Sequence, residues 1–136
     1  MDMSQQTKFA VAPDVKMKYC LYARKSTESD ERQALSIESQ VKEMLQIAER
    51  ESLDIVDIRR ESKSAKDSDK RPVFRDLIHD ISEERFNAIL TWAPDRLSRN
   101  AGDLGSLVDL MDAKKLLGIR TYGQTFSNSP NEKFLL

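Results

Sequence analysis

The stretch YCLYAR (residues 19–24) decides the fold, because it has the composition of a buried strand but ends abruptly in charge. Side chains alternate across a strand, so Tyr22 and Arg24 share one face with the following Ser26. Leu21 takes the other face. A phenol, a guanidinium and a hydroxyl therefore follow one another where the strand leaves the sheet, and they predict either a turn or a site.

Strand-like and helix-like stretches alternate along the rest of the chain. Short runs rich in apolar residues predict strands at 19–24, 55–60, 87–92 and 119–122. Apolar side chains at helical spacing predict one helix from the cap Ser36 to about Ser52, one that opens at Pro72, and one through residues 104–111 that stops at Gly118. The polar segments 61–70 and 94–100 predict loops.

This alternation predicts the fold class. Strands that alternate with helices form βαβ units with right-handed crossovers. We expect a three-layer α/β fold with a mainly parallel sheet of four to five strands and helices on both faces. The 136-residue length suits one domain, with residues 1–17 as a flexible leader and 18–136 as the folded part.

The composition excludes several kinds of site and compartment. One cysteine and one histidine cannot form an internal disulfide or a zinc site, and no paired-carboxylate spacing suggests magnesium, so the composition indicates no metal cofactor. No apolar run approaches the length of a membrane span, and the N-terminus lacks a secretory signal. These features favour a cytoplasmic protein without membrane contact.

Charge is balanced overall but unevenly distributed. The net charge of −1 argues against a protein that coats nucleic acid by bulk charge. Residues 43–57 carry five acids and one base, whereas residues 59–75 carry seven bases and three acids. The basic segment indicates either a local anion site or a solvated loop beside an acidic helix.

The polar residues that follow the predicted strands converge on one edge. Ligands of open α/β sheets bind at the carboxyl ends of the strands. The residues there with unusual side chains are Arg24, Ser26, Arg71, Asp95, Arg96 and Arg99. Guanidinium groups suit phosphate oxygens and can stabilise a phosphoryl transition state without a metal. The combination predicts phosphoryl transfer to a serine hydroxyl.

Each of these residues also has a structural interpretation. A serine in the sequence STESD is most often a turn or cap residue, so Ser26 alone carries little weight. Arg96 beside Asp95 could form an ordinary surface ion pair. The rings of Trp92 and Tyr22 are more typical of packing than of ligand stacking.

Four blocks in order extend this interpretation to a family. The blocks are Y-A-R-K-S-T, S-I-E-S-Q, E-S-K-S-A-K followed by R-P-V-F, and W-A-P-D-R-L-S-R-N. The chain from Tyr19 onward resembles the catalytic domain of the serine recombinases, the resolvases, invertases, integrases and transposases of mobile elements. The long segment after Ser26 resembles the large serine recombinases more than the small resolvases.

The resemblance implies a mechanism. Ser26 would attack a DNA phosphodiester to form a 5′-phosphoserine link and a free 3′-hydroxyl. Asp95 would orient an arginine or move a proton. No metal or nucleotide would be needed, because the phosphoserine bond conserves the energy for rejoining. The arginines that would surround the phosphate are Arg24, Arg71, Arg96 and Arg99.

The resemblance also implies pocket residues and partners. Residues that would line the pocket or bind DNA phosphates are Tyr22, Gln33, Gln40, Lys63 and Lys66, with Glu61 near an acidic family position. The partners would be DNA and further copies of the chain, as dimers that pair into tetramers. The chain stops where the family's long dimerisation helix and DNA-binding region would follow, so we expect it to bind DNA weakly and to recombine nothing alone.

Two rival functions remain compatible with the residues. A metal-independent phosphohydrolase could use Ser26 or water within the same arginine cluster. A non-catalytic α/β module could hold a phosphate-bearing partner, with Ser26 as a cap.

Overall fold

The computed structural model of the chain describes residues 16–25, 36–62, 71–98, 100–123 and 125–127, the last segment as backbone only. In chain order the elements are β1 (Lys18–Arg24), α1 (Ile37–Glu51), β2 (Asp54–Glu61), α2 (Pro72–Ser82), β3 (Ala88–Thr91), α3 (Pro94–Leu97), α4 (Ala101–Asp112), β4 (Gly118–Arg120) and β5 (Thr125–Ser127).

The strands form one mainly parallel sheet, as predicted. Its order is β2-β1-β3-β4-β5. The first four strands are parallel, whereas β5 runs antiparallel to β4. In the register of the sheet, Arg24 lies opposite Glu61 and Tyr22 lies opposite Thr91. The carboxyl ends of β1, β2 and β3 therefore meet at the same edge.

Alternate side chains of β1 are apolar on both faces of the sheet, so helices pack on both faces and the fold has three layers. Cys20 and Tyr22 pack in an apolar cluster with side chains of α2 and α4. Leu21 and Ala23 pack in a second cluster with α1 on the opposite face. Each cluster buries apolar surface between a helix layer and the sheet, which is the main stabilising contribution to such a fold. The predicted helices on both faces are confirmed.

Helix boundaries follow the local chemistry that the sequence indicated. The Ser36 Oγ accepts a hydrogen bond from the backbone N–H of Ser39 at 3.1 Å, as expected of an N-cap. Ser52 ends α1 in the left-handed conformation, with φ of 59°. Pro72 occupies the first turn of α2, where a missing N–H leaves no hydrogen bond unmade.

Two local predictions were wrong. Residues 94–97 form the helical turn α3 and not a loop, because Pro94 favours a helical start and the Ser98 N–H closes the turn on the Pro94 carbonyl at 2.9 Å. Gly118 does not stop a helix. The helix α4 ends at Asp112, and Gly118 begins β4 opposite Ala88, after a turn in which Lys114 has φ of 61°.

Candidate active site at the carboxyl edge of the sheet

Arg24 is a fully buried guanidinium at the end of β1. Its Nε donates a hydrogen bond to the carbonyl oxygen of Arg96 at 3.0 Å, and its Nη2 donates one to the carbonyl of Asp95. Its Nη1 donates to the carbonyl of Lys25 at 3.0 Å. Carbonyls at the end of a short helix have no partner within the helix, so a cation satisfies them and holds α3 against β1.

Arg71 also binds the helical turn α3, through a different carbonyl group from those that Arg24 binds. Its Nη2 donates hydrogen bonds to the carbonyl of Leu97 at 3.0 Å and to the phenol oxygen of Tyr22 at 2.9 Å. Its Nη1 donates to Oδ2 of Asp103 at 2.6 Å. The guanidinium carbon lies 4.1 Å from the centre of the Phe74 ring, a cation–π contact. Arg71 therefore joins β1, α2, α3 and α4.

Tyr22 and Glu61 complete a buried polar chain. The Tyr22 hydroxyl donates to Oε1 of Glu61 at 2.7 Å while it accepts from Arg71. The Glu61 carboxylate also accepts the backbone N–H groups of Val73 at 3.1 Å and Phe74 at 2.9 Å, so it caps α2 from the end of β2. Burial raises the pKa of Tyr22 more than Arg71 lowers it, so the phenol remains neutral and acts as both donor and acceptor.

Arg96 makes fewer hydrogen bonds to described residues than Arg24 or Arg71 does, although the Nε of Arg71 is also without a partner there. Its side chain is buried, and its Nη1 lies 3.2 Å from Oδ1 of Asp95. Its Nε is buried without a hydrogen-bond partner among the residues that the structure describes. The Asp95 side chain is 53% exposed. A buried N–H without a hydrogen-bond partner destabilises the protein, and an anion that accepted this hydrogen bond would remove that cost. Arg96 therefore retains the capacity to bind an anion.

Gln40 reaches the site from α1. Its Nε2 donates to the carbonyl oxygen of Arg24 at 3.0 Å. The Arg24 carbonyl is thereby fixed where the chain leaves β1, and α1 is tied to the same edge of the sheet.

The possible functions of the described residues also depend on whether they include metal sites, membrane-spanning helices or aromatic rings placed to stack on a ligand. No group of three or more His, Cys, Asp or Glu side chains is placed to hold a metal ion within those ranges. None of the described helices combines the length and apolar character that crossing a bilayer requires. Tyr22 lies in the apolar core, and Trp92 stacks on Tyr122 with ring centres 4.4 Å apart.

The sequence blocks resemble one family, and comparison with known proteins tests that resemblance. A family model described as the resolvase N-terminal domain matches residues 19–136. The chain belongs to this family. The resemblance drawn from the sequence blocks is confirmed, and it covers both the described sheet and the residues that follow it.

Comparison with solved structures shows the fold. The N-terminal catalytic domain of TP901-1 integrase is 23% identical, with 87% of this chain and 88% of that chain covered and a TM-score of 0.67. A resolvase family site-specific recombinase from Streptococcus pneumoniae is 22% identical over 88% and 83% of the two chains, also at 0.67. The catalytic domain of an IS607-like serine recombinase, ISC1926 TnpA, is 17% identical over 77% and 70%, at 0.60. The resolvase-like α/β fold is thereby shown.

All of the predicted site residues that the structure describes lie at one edge of the sheet. Arg24, Arg71, Asp95 and Arg96 meet around α3, and Tyr22, Glu61 and Gln40 support them. The remaining predicted residues lie outside the described residues, and they are Ser26, Gln33, Lys63, Lys66 and Arg99.

Sequence reasoning missed one residue of this candidate site. Asp103 binds Arg71 from the first turn of α4, and it was not singled out. The available signal was its place three residues after Asn100, where an acid favours a helix N-terminus. That signal predicts a cap but not an arginine partner from a distant helix.

Proposed function

We propose that this chain is the catalytic domain of a site-specific DNA recombinase that cleaves and rejoins DNA through a phosphoserine at Ser26. The supporting observation is the convergence of Arg24, Arg71 and Arg96 on α3, beside the end of the strand that leads directly to Ser26. Membership of the resolvase family supports DNA as the substrate.

In the proposed reaction, Ser26 Oγ attacks the phosphorus of a DNA phosphodiester. The serine loses its proton, the O3′–P bond breaks, and the departing 3′ oxygen takes up a proton to become a free hydroxyl. The DNA 5′-phosphate is then esterified to the serine. Reversal with a different 3′-hydroxyl rejoins the strands without a cofactor, because the number of phosphoester bonds stays constant.

The arginines divide this work according to their contacts. Arg71 and Arg96 each have a buried Nε–H without a partner among the described residues, but both Nη groups of Arg71 are held by other residues, whereas Arg96 contacts the half-exposed Asp95 carboxylate. We therefore assign Arg96, with Arg99, to the reacting phosphate. Arg24 and Arg71 place two further positive charges beside α3, and each donates a hydrogen bond to a carbonyl group of that turn. Asp95 orients Arg96 through their contact at 3.2 Å.

The remaining proposed roles concern the surroundings of the phosphate. Tyr22 and Gln40 shape the pocket through their contacts with Arg71 and Arg24. Gln33, Lys63 and Lys66 belong to segments that would face the DNA, and further copies of the protein would pair the two DNA sites.

The test is a covalent protein–DNA adduct. The complete protein is incubated with supercoiled DNA that carries the sequences flanking its gene, and the products are separated on a denaturing gel. We expect an adduct with the wild type and with the control Ser82→Ala, whose hydroxyl donates a hydrogen bond to the His79 carbonyl at the end of α2. Ser26→Ala should give none.

The rival functions give different results in the same experiment. A phosphohydrolase would turn over a small ester such as p-nitrophenyl phosphate and leave no adduct. A phosphate-binding module would bind DNA without cleaving it. Either result, or an adduct that survives Ser26→Ala, would overturn the proposal.

A further inference from the structure

Arg71 is a buried charge with one direct ion-pair partner among the described residues, and the next carboxylate, Glu61, is connected to it only through the Tyr22 hydroxyl. Its side chain is 1% exposed, and among the described residues its only ion pair is with Asp103, whose side chain is 14% exposed. Its other hydrogen bonds go to the neutral oxygens of Tyr22 and Leu97. Removing one partner of a buried ion pair leaves a charge that the protein interior stabilises poorly.

Space beside the pair allows Arg71 to move if that partner is lost. A cleft of about 360 Å³ lies between α2 and α4, and Arg71, Asp103 and Ser106 are among its lining residues. The Asp103 carboxylate therefore holds the guanidinium at the wall of an open cleft. Without it, solvation of the guanidinium in the cleft would compete with the hydrogen bond to the Leu97 carbonyl.

The contact with Leu97 connects this pair to the reacting phosphate. Leu97 is the last residue of α3, and Arg96 precedes it. A displaced Arg71 would release the Leu97 carbonyl and loosen the turn that carries Arg96. Small misplacements of a phosphate-binding group lower reaction rates steeply.

We propose that Asp103 is a positioning residue for the recombinase reaction, locking Arg71 so that α3 presents Arg96 to the phosphate. This inference rests on the proposed function. Asp103 acts through Arg71 and does not itself touch the substrate. Its backbone N–H bond to Asn100 Oδ1, at 2.8 Å, is a separate helix-capping contact.

The first test observes Arg71 directly in the free protein. Nitrogen-15 spectra of the arginine side chains resolve separate Nη–H signals when a guanidinium is locked. We expect locked signals for Arg71 in the wild type and in the control Asp109→Asn, an exposed position on the same helix. Asp103→Asn should merge them by fast rotation. Locked signals in Asp103→Asn would overturn the proposal.

The second test separates chemistry from binding. At saturating DNA, Asp103→Asn should slow adduct formation on the order of 10- to 100-fold, while DNA affinity changes less than about twofold. Asp103→Glu retains the carboxylate and should recover part of the rate, which also keeps the test usable if the asparagine variant folds poorly. A purely helix-capping role predicts a lower melting temperature with an unchanged rate, and that result would overturn the proposal.

The two proposals fail in different ways. If Ser26→Ala still forms an adduct, the proposed function is wrong, whereas the Arg71 spectra still report whether Asp103 locks the guanidinium. If Ser26→Ala abolishes the adduct and Asp103→Asn reacts at the wild-type rate, only the positioning role is wrong.

Discussion

Arg24 donates a hydrogen bond from its Nε to the carbonyl oxygen of Arg96 at 3.0 Å, so one arginine of the site holds the backbone of another. The two residues are 72 positions apart in the chain. Strand β1 thereby sets the position of the turn α3, and the side chain of Arg96 is presented from a backbone that buried cations hold in place.

Arg24→Lys should destabilise the fold, because a lysine ammonium cannot reproduce the planar guanidinium that binds the carbonyls of Asp95 and Arg96 together. We expect a loss of about 2 kcal/mol in the free energy of unfolding, measured by urea denaturation. The matched control is Arg60→Lys, which removes an exposed guanidinium paired with Glu38 and should change stability little. Equal stability of the two variants would show that Arg24 does not clamp α3.

Tyr22→Phe should cost about 1 to 2 kcal/mol, because it removes the hydroxyl that donates to Glu61 and accepts from Arg71. In a double-mutant cycle with Glu61→Gln, the two changes should be non-additive by about 0.5 kcal/mol or more. Strict additivity in thermal or urea unfolding would indicate that the two side chains act independently.

Asp80→Asn should lower stability at neutral pH and have less effect in acid. The hydrogen bond from Arg59 at 2.5 Å lowers the pKa of Asp80, so this carboxylate stabilises the fold above the ordinary carboxyl pKa. That contribution is lost as the pH falls below about 4. The difference between wild type and variant, measured by urea unfolding from pH 7 to pH 3, should therefore shrink. Asp76→Asn, at an exposed position of α2, is the control and should show no such trend.

Cys20 should react with a thiol reagent only when the domain unfolds. The side chain is fully buried, and burial raises the pKa of the thiol to about 12, so little thiolate exists at pH 8. The rate of labelling should rise with urea in parallel with unfolding. Rapid labelling of the native protein at pH 8 would contradict the packing of β1.

Local patterns predicted the fold better than they predicted the site. The alternation of β1 and the cap at Ser36 depend on neighbouring residues, and both predictions were confirmed. The turn α3 was missed as a helix because it is only four residues long, and part of its stabilisation comes from the guanidiniums of Arg24 and Arg71, which bind its carbonyls from distant parts of the chain. Periodicity and composition carry no signal for such contacts.

The positions of buried charged residues also depend on contacts between distant parts of the chain, which local sequence patterns do not reveal. Asp80 lies on the buried side of α2 because Arg59 from β2 pairs with it, although an aspartate at that position alone predicts exposure. Asp103 likewise has a simple local explanation as an acid near a helix N-terminus, and only the fold reveals its contact with Arg71.

The most direct test of the proposed mechanism is mass spectrometry of the protein–DNA adduct after digestion with protease and nuclease. We predict a single modified peptide in which Ser26 carries a nucleotide through its 5′-phosphate, together with DNA ends that bear free 3′-hydroxyls. A nucleotide attached to another side chain, or a link through a 3′-phosphate, would contradict it.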